Sequence, residues 1–436
     1  MTGVQTCALP ISPLTGAEFR WGRESSQEFN ESLAPAEADV KTMGMSCLFQ
    51  PRETDRPQSF IPPRWAYQYR TPEDINRRSI KLGTNYWWME LGGENDSIRD
   101  TETLRDELLK VAFGVWDYIK NYSDQQECYR NFVLDWVGFL PGKRESRRYI
   151  GDVLINQNDV RAGGPFPDII AYGGWSMDDH HPAGIRYAGE PTLFHKAPSP
   201  YGIPYRALYS RNIPNLFFAG RNISATHIAM SSTRVMATCG IIGQAVGIAA
   251  SIAIADQLTP RLIYESKLND LQQQIMDDDG YLPGLVRRPS PLALRAGIAA
   301  TQGDPSCLIN GIDRPVGEST HAWRGGRGDW VEFRFTESTE IRGLRFVFDS
   351  RLDRPEKNML SYYPLHQEPV RVHPGMVKSY RIETDRDGAM ATLCRVETNY
   401  QRFVRLPINA KARRIRFIIE STWGAPDALI FGLEPY

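Results

Sequence analysis

The sequence has few cysteines and no surplus of charge of either sign. Its 436 residues include six cysteines, and no CxxC pair occurs, which excludes a zinc ribbon or a redox motif of that kind. Lysine plus arginine total 51 and aspartate plus glutamate 52, so the net charge is −1. Without a basic excess, nucleic acid and anionic membrane surfaces are not the predicted partners. The length instead predicts two to four globular domains at about 100–200 residues each.

The N-terminus lacks the pattern of a secretory signal. The first twelve residues, MTGVQTCALPIS, have no basic start followed by a long apolar run. They are similar to a translated sequencing-adapter string, with a disordered tail as the alternative. We therefore expect residues 1–12 to be an artefact and the natural chain to continue upstream, so no cellular location is predicted.

One amphipathic helix is clear in the first hundred or so residues. Over residues 98–121, apolar residues recur at helical spacing at Leu104, Leu108, Val111, Val115 and Ile119. We interpret it as a packing helix.

Two charged segments carry candidate chemistry. Residues 140–152 hold Lys143, Arg144, Arg147 and Arg148, which form either a solvated face or a site for an anionic group, because guanidinium forks match carboxylates and phosphates. Residues 178–181 are Asp-Asp-His-His, in a composition typical of a loop. His180 and His181 are candidates for proton transfer, since imidazole titrates near neutral pH, and either aspartate could orient them. A metal site there is disfavoured, because adjacent side chains rarely reach one ion together.

A strand, a glycine and a long helix follow. Asn215–Ala219 predicts a short strand ended by Gly220, and Ser231–Gln257 predicts a helix rich in small residues. Residues 235–255 carry no charge, but Gln244 lies within them and no aromatic belt flanks them. We therefore interpret the helix as packing closely against a sheet or a bound cofactor and not as a transmembrane segment.

From about residue 300 the pattern changes to period two. Segments such as WVEFRF, LRFVF, YRIET and IRFII alternate apolar residues with charged ones and are separated by turn residues. This alternation is typical of an antiparallel β-sandwich.

Seven blocks in order resemble a bacterial family of FAD-dependent oxidoreductases whose members are often described as xanthan lyases. They cover most of residues 16–285 and include NYWWMELGGENDSIRDTETLRDELL, LPGKRESRRYIGD, AYGGWSMDDHHPAG and YGIPYRALYSRNIPNLFFAGRNISATH. The C-terminal segment resembles a discoidin-like or galactose-binding-like jelly roll. The resemblance implies an incomplete Rossmann-like FAD domain and an α+β substrate domain, followed by an all-β sandwich.

The resemblance has one departure. Family members begin with a strand, GxGxxG and a helix that hold the FAD pyrophosphate, and this sequence contains no GxGxxG. We therefore interpret the chain as N-terminally truncated, with its cofactor site incomplete. The expected organisation is 13–200 for the substrate domain with part of the FAD domain, 201–285 for the C-terminal part of the FAD domain, 286–300 for a linker and 301–436 for the sandwich.

The resemblance also implies individual roles. The expected cofactor-binding residues are Ala219, Gly220, Arg221 and Asn222 at the turn, Ser232 and Thr233 before the long helix, and Gly243 and Gln244 on its small face. A looser analogy to flavin reductases places His227 and Arg234 beside the substrate. A hydrogen-bonded core histidine is the alternative for His227.

The predicted function is hydride transfer from a sugar-like or polyol substrate to flavin N5, with FAD as cofactor and no metal. The alternative is a non-redox carbohydrate-active protein, either a polysaccharide lyase or a carbohydrate-binding module. A lyase needs a base and a cation that neutralises a uronate, for which Arg144–Arg148 is the candidate. A third possibility is a fragment that folds only in its sandwich.

Overall fold

The computed structural model describes residues 12–82, 85–352, 372–386 and 389–436. The adapter-like segment 1–12 therefore lies outside the described residues except for its last position. The chain divides into two compact units. The first extends to Gln272 and includes Tyr281–Pro283, and the second comprises Gln273–Gly280 and the described residues from Gly284 onward. The finer domain boundaries expected from the sequence stay predictions.

The first unit mixes short strands with helices. Its strands are β1 (Phe19–Arg20), β2 (Met45–Ser46), β3 (Phe49–Glu53), β4 (Glu90–Leu91), β5 (Phe132–Val137), β6 (Gly142–Lys143), β7 (Arg148–Tyr149), β8 (Ile169–Gly173), β9 (Met177–His180), β10 (Thr192–His195) and β11 (Tyr201–Pro204). Its helices are α1 (Ser26–Phe29), α2 (Thr101–Asn121), α3 (Gln157–Arg161), α4 (His227–Thr233), α5 (Met236–Asp256) and α6 (Pro260–Ser266), and α7 (Leu268–Asp277) follows at the unit boundary. Short 3-10 turns lie at Ser12–Thr15, Pro72–Ile75, Gly184–Arg186 and Tyr205–Ala207.

These strands form small antiparallel sheets. The pairings are β1 with β7, β3 with β5, β8 with β11, β9 with β10, and β2 between β4 and β6. Among the described residues, parallel pairing is limited to a bridge between Ile155 and Ala225. The unit is nevertheless α/β in composition, and the predicted combination of an α/β region with a C-terminal β-sandwich is confirmed.

Helix α2 supplies one side of the first core. Leu104, Leu108, Val111, Val115 and Ile119 are all buried, as their spacing predicts. They pack in one cluster with strands β2 to β4 and with a group of aromatic rings, namely Tyr86, Trp88, Trp116, Tyr129 and Phe132.

Two local predictions were wrong. The predicted strand at residues 215–219 forms only one β-bridge, between Phe217 and Tyr209. The segment opposite it has just emerged from the 3-10 turn at Tyr205–Ala207 and is too short in extended form to pair with more residues. The predicted helix at residues 231–257 is two helices. Arg234 ends α4, and Val235 adopts an extended conformation, with ψ of 146°, before α5 begins.

The second unit contains a seven-stranded antiparallel β-sheet and one hydrophobic core. It contains α8 (Pro291–Arg295), a 3-10 turn (Pro305–Ile309), β12 (Gly297–Ala300), β13 (Trp323–Gly326), β14 (Trp330–Phe348), β15 (Val377–Arg386), β16 (Ala389–Val396), β17 (Phe403–Thr422) and β18 (Asp427–Pro435). The strand order is β13-β18-β14-β17-β15-β16, with β12 added on β14. Alternate residues of β14 and β17, such as Phe333, Ile415 and Phe417, fill the core, in agreement with the period-two pattern.

Candidate functional site

Strand β9 and helix α4 bring three of the four candidate catalytic residues together. Asp178, Asp179 and His180 lie on β9, which pairs antiparallel with β10. His227 is the first residue of α4 and Arg234 follows its last. Because side chains alternate along a strand, Asp178 and His180 lie on one face of β9 and Asp179 on the other.

The first face carries a carboxylate–histidine–carboxylate chain. His180 Nδ1 lies 2.7 Å from Glu90 Oε2, and His180 Nε2 lies 3.3 Å from Asp178 Oδ2. The ring is buried, and the indole of Trp87 stands edge-on at 5.4 Å between ring centroids. Among the four nitrogen–carboxylate distances of His180 and His227, the one from His180 Nε2 is the longest.

Two arginines neutralise the ends of this chain. Arg144 lies 3.3 Å from Glu90 Oε2, and Arg234 Nη2 donates to Asp178 Oδ2 at 3.2 Å. Burial favours the neutral form of Glu90, but Arg144 and His180 outweigh it and lower the pKa of the carboxyl. Burial lowers the pKa of Arg234, whose Nε has no hydrogen-bond partner among the described residues. Glu90 and Asp178 are therefore held as anions around His180.

A second carboxylate–histidine–carboxylate chain lies on the other face of β9. His227 Nδ1 is 2.8 Å from Glu145 Oε2, and His227 Nε2 is 3.1 Å from Asp179 Oδ1. Burial disfavours the charged ring, but the carboxylates of Glu145 and Asp179 outweigh it and raise the pKa of His227 to about 10. His227 is therefore a fixed cation at neutral pH.

Arg148 anchors the second chain. It is 1% exposed, ion-paired with Glu145, and donates to Glu24 Oε1 at 2.7 Å and to the Ala225 carbonyl at 3.0 Å. The interpretation of the basic segment as a solvated face is wrong for Arg148, because three segments bury its guanidinium.

The pH dependence of stability should report the charge on His227. Its folded-state pKa lies above the unfolded value of about 6.5, so its stabilisation is complete below pH ~6.5 and is lost as the pH rises through about 10. We expect the free energy of unfolding, measured in urea, to fall across this interval. The variant His227→Gln should lack this component, and an equal slope in both proteins would contradict the assignment.

His181 does not join the other candidates. Its ring stacks on Tyr187 with centroids 3.6 Å apart, and its Nδ1 accepts from the Ala183 N–H at 3.2 Å. Burial lowers the pKa of His181, which keeps it neutral.

The turn expected to bind the cofactor lies at residues 219–222. Gly220 has a φ of 105°, a conformation that glycine adopts without strain. Ala219 is exposed, Asn222 is buried, and Arg221 donates to the Lys143 carbonyl. The Nε of Arg221 has no hydrogen-bond partner among the described residues, and burial lowers its pKa. An anionic group next to Arg221 would therefore stabilise its charge.

Ser232 and Thr233 are buried, whereas Gly243 and Gln244 are exposed. Ser232 donates to the Trp175 carbonyl at 2.6 Å and accepts from the Tyr201 hydroxyl at 2.6 Å. Its hydroxyl is therefore engaged in hydrogen bonds within the protein. The Thr233 hydroxyl has no hydrogen-bond partner in the described chain.

One face of helix α5 is open, and its first turn is uncapped. A Cβ added at Gly240, Gly243 or Gly247 would meet nothing within 4 Å, so this face is open to close approach. The helix begins without a side-chain cap and without an acidic residue in its first turn. Its N–H groups therefore remain available to a negative edge.

The same helix, Met236–Asp256, has the length and apolar character that a membrane crossing requires, and no other described helix does. A single helix of this kind is weak evidence of a membrane span, since helices within soluble proteins satisfy the same criteria.

Sequence reasoning missed the glutamates that hold both histidines. Glu90 lies between Met89 and Leu91 and directly follows an aromatic-rich segment, and a carboxylate in such a run is the available signal of a buried, paired group. Glu145 lies among the basic residues of segment 140–152, so nothing in the local pattern indicated that it pairs with a histidine. Within the described residues, no group of three or more His, Cys, Asp and Glu side chains has an arrangement that could hold a metal ion.

Comparisons with known proteins concern the two units separately. A sequence model described as FAD dependent oxidoreductase matches residues 10–275, more than half of the chain. No curated protein matches the chain. Among solved structures, the chain is similar to the family 32 carbohydrate-binding module of Streptococcus pneumoniae EndoD, with 15% identity over 34% of this chain and 99% of that one and a TM-score of 0.26. It is also similar to chitosan-binding module 1 of a chitosanase/glucanase from Paenibacillus sp. IK-5, with 15% identity over 33% and 97% and a TM-score of 0.23.

Proposed function

The chain belongs to the FAD dependent oxidoreductase family, and from that premise we propose that it dehydrogenates a hydroxyl-bearing small molecule of sugar-like or polyol type. The observation that carries the proposal is the convergence of His180, Asp178 and Arg234 beside the uncapped start of α5. A hydroxyl group, a base and a cationic donor are what oxidation of a CH–OH group requires.

The residues that would hold FAD are those of the turn and of α5. Gly220 and Arg221 lie at the turn, and Gly243 and Gln244 lie on the exposed side of the helix. When bound, FAD supplies the acceptor for the hydride that leaves the substrate carbon. The N-terminal N–H groups of α5 stabilise negative charge at the end of the helix.

His180 takes the hydroxyl proton in this proposal. Its Nε2 has the loosest contact of the four histidine nitrogens, while Nδ1 is fixed on Glu90 at 2.7 Å. As the proton moves to Nε2 and the hydride leaves carbon, the C–O bond becomes a carbonyl. The unpartnered Nε of Arg234 is a donor for the substrate oxygen, and Asp178 holds this arginine through its Nη2.

His227 has a different role from His180. As a fixed cation between Glu145 and Asp179 it holds Asp179 and the start of α4, and it takes no proton from substrate. His181, stacked on Tyr187, has no part in the proposed proton transfer.

Two arginines of the basic segment are not available for the lyase alternative. Arg144 and Arg148 are already paired with Glu90, Glu145 and Glu24, so neither guanidinium is available to neutralise a uronate. A role of the second unit in carbohydrate binding remains the alternative that its jelly-roll resemblance suggests.

Cofactor titration tests the proposal directly. We expect added FAD to bind, with quenched flavin fluorescence, and anaerobic addition of a polyol to bleach the visible band of the flavin. Gly243→Leu should weaken FAD binding about tenfold, because its side chain fills the open face of α5. Gly243→Ala is the matched control, and it should raise helix stability by about 1 kcal/mol. Failure of this chain to bind FAD would overturn the proposal for the chain as it stands, and would agree with the cofactor site that the missing GxGxxG leaves incomplete.

A further inference from the structure

The outer face of the C-terminal sheet carries an ordered array of arginines. Phe333 of β14, Ile415 and Phe417 of β17 and Ile382 of β15 point into the core. Because side chains alternate along each strand, their neighbours point outward. The outward set on these strands and β16 consists of Arg334, Glu332, Trp330, Arg414, Arg416, Arg381, Glu383, Glu420 and Arg395, which we call the arginine face.

Two pairs of arginines on this face lie directly opposite each other. Arg334 of β14 is in register with Arg414 of β17, and Arg381 of β15 is in register with Arg395 of β16. Like charges in direct cross-strand pairs destabilise a sheet. Each pair therefore requires nearby anionic groups.

Glutamates between the pairs neutralise part of this charge. Glu332 is 0% exposed and accepts hydrogen bonds from Arg334 at 2.6 Å, Arg414 at 2.9 Å and Arg416 at 2.7 Å. Further ion pairs link Glu383 and Glu420 to the remaining arginines. With five arginines, three glutamates and Asp385, which alternation along β15 places on the same side, the charge of the face is 5 − 4 = +1. Asp385 at its edge accepts from the backbone N–H groups of Arg413 and Arg414.

The outermost guanidiniums still have donors that face solvent. The side chains of Arg334 and Arg395 are 57% and 53% exposed. Arg334 uses its Nε for Glu332, and its two terminal nitrogens have no protein partner in the described part of the chain. The bonds to Glu332 show the geometry with which this face receives carboxylates, since guanidinium forks match a carboxylate in two points.

We propose that the arginine face binds an acidic polysaccharide whose sugar units carry carboxylates. Outward positions recur about 4.8 Å apart across strands and about 6.8 Å apart along them, so the face presents repeated cationic points to an extended chain. Trp330, over which Arg416 stacks at 4.5 Å, adds an aromatic edge to the array. A polymer of carboxylates would add anionic partners at the donors of both arginine pairs that still face solvent. This inference is independent of the flavin chemistry of the first unit.

The test uses the full chain with polygalacturonate as the probe. Titration calorimetry at low salt measures the binding. Binding is expected for wild type and should weaken steeply with added salt. The double variant R334Q/R395Q should bind about tenfold more weakly. The matched control R324Q/R52Q removes two other exposed, ion-paired arginines and the same charge, and it should bind as wild type does.

The outcomes separate the ligand classes. Neutral dextran should not bind. A thermal unfolding midpoint of R334Q/R395Q at or above that of wild type would show that weaker binding is not a folding defect. Equal weakening in R324Q/R52Q, absence of binding to polygalacturonate, or binding confined to heparin or to an oligonucleotide would overturn the proposal.

Discussion

Replacing His180 with glutamine is expected to slow the reduction of bound flavin by substrate by about 10²- to 10⁴-fold. Glutamine keeps a polar group next to Glu90 and Asp178 but cannot take a proton, so the base is lost while the site stays packed. Flavin affinity should change little, because His180 contacts Glu90, Asp178 and Trp87. Stopped-flow bleaching of the flavin under anaerobic conditions measures this rate.

His181→Gln is the control for this prediction. His181 is adjacent in sequence but is stacked on Tyr187, and its replacement should change the rate by a few-fold at most. The pH profile adds a second reading, since loss of a base removes a limb of the profile whereas a packing defect lowers the whole curve. A rate for His180→Gln within threefold of wild type, or an equal loss in His181→Gln, would be incompatible with the assignment.

Arg148→Met should be the most destabilising single change in the first unit, lowering the free energy of unfolding by about 3–5 kcal/mol. Methionine fills a similar volume, so the loss reflects Glu24 and Glu145, which stay buried but each lose one of two cationic partners and keep only Arg20 and His227, respectively. The carbonyl of Ala225 also loses a donor. Urea unfolding followed by tryptophan fluorescence gives the free energy of unfolding.

Arg77→Met is the matched control, because Arg77 also pairs with a glutamate but is 76% exposed. Its removal should cost less than about 1 kcal/mol. Similar effects of Arg148→Met and Arg77→Met would show that the buried network contributes no more than a surface pair.

The two histidine chains explain why distant segments meet at the site. The first joins Glu90, His180 and Asp178, and the second joins Glu145, His227 and Asp179. Each begins at a glutamate paired with an arginine and ends at one of two consecutive aspartates. Because adjacent residues of β9 face opposite ways, one dipeptide serves both chains.

The sequence by itself determined the features that depend on local periodicity. The spacing of Leu104, Leu108 and Val111 predicts α2, and alternation predicts the outward and inward residues of β14 and β17. Ordered blocks over residues 16–285 predicted the family, which the match over residues 10–275 confirms. Asp178 and His180 were identified from their residue types, and their role in proton transfer stays a prediction.

Only the tertiary structure decided which charges pair. Glu24 lies 124 residues from Arg148, Glu90 lies 90 residues from His180, and Glu145 lies 82 residues from His227. No periodic pattern links positions so distant in the chain. The separation of α4 from α5 also depends on tertiary structure, because Arg234 is drawn to Asp178 of another element. A buried charge is stabilised by whichever opposite charge the fold brings within a few ångströms, and that distance is not encoded in any local window of sequence.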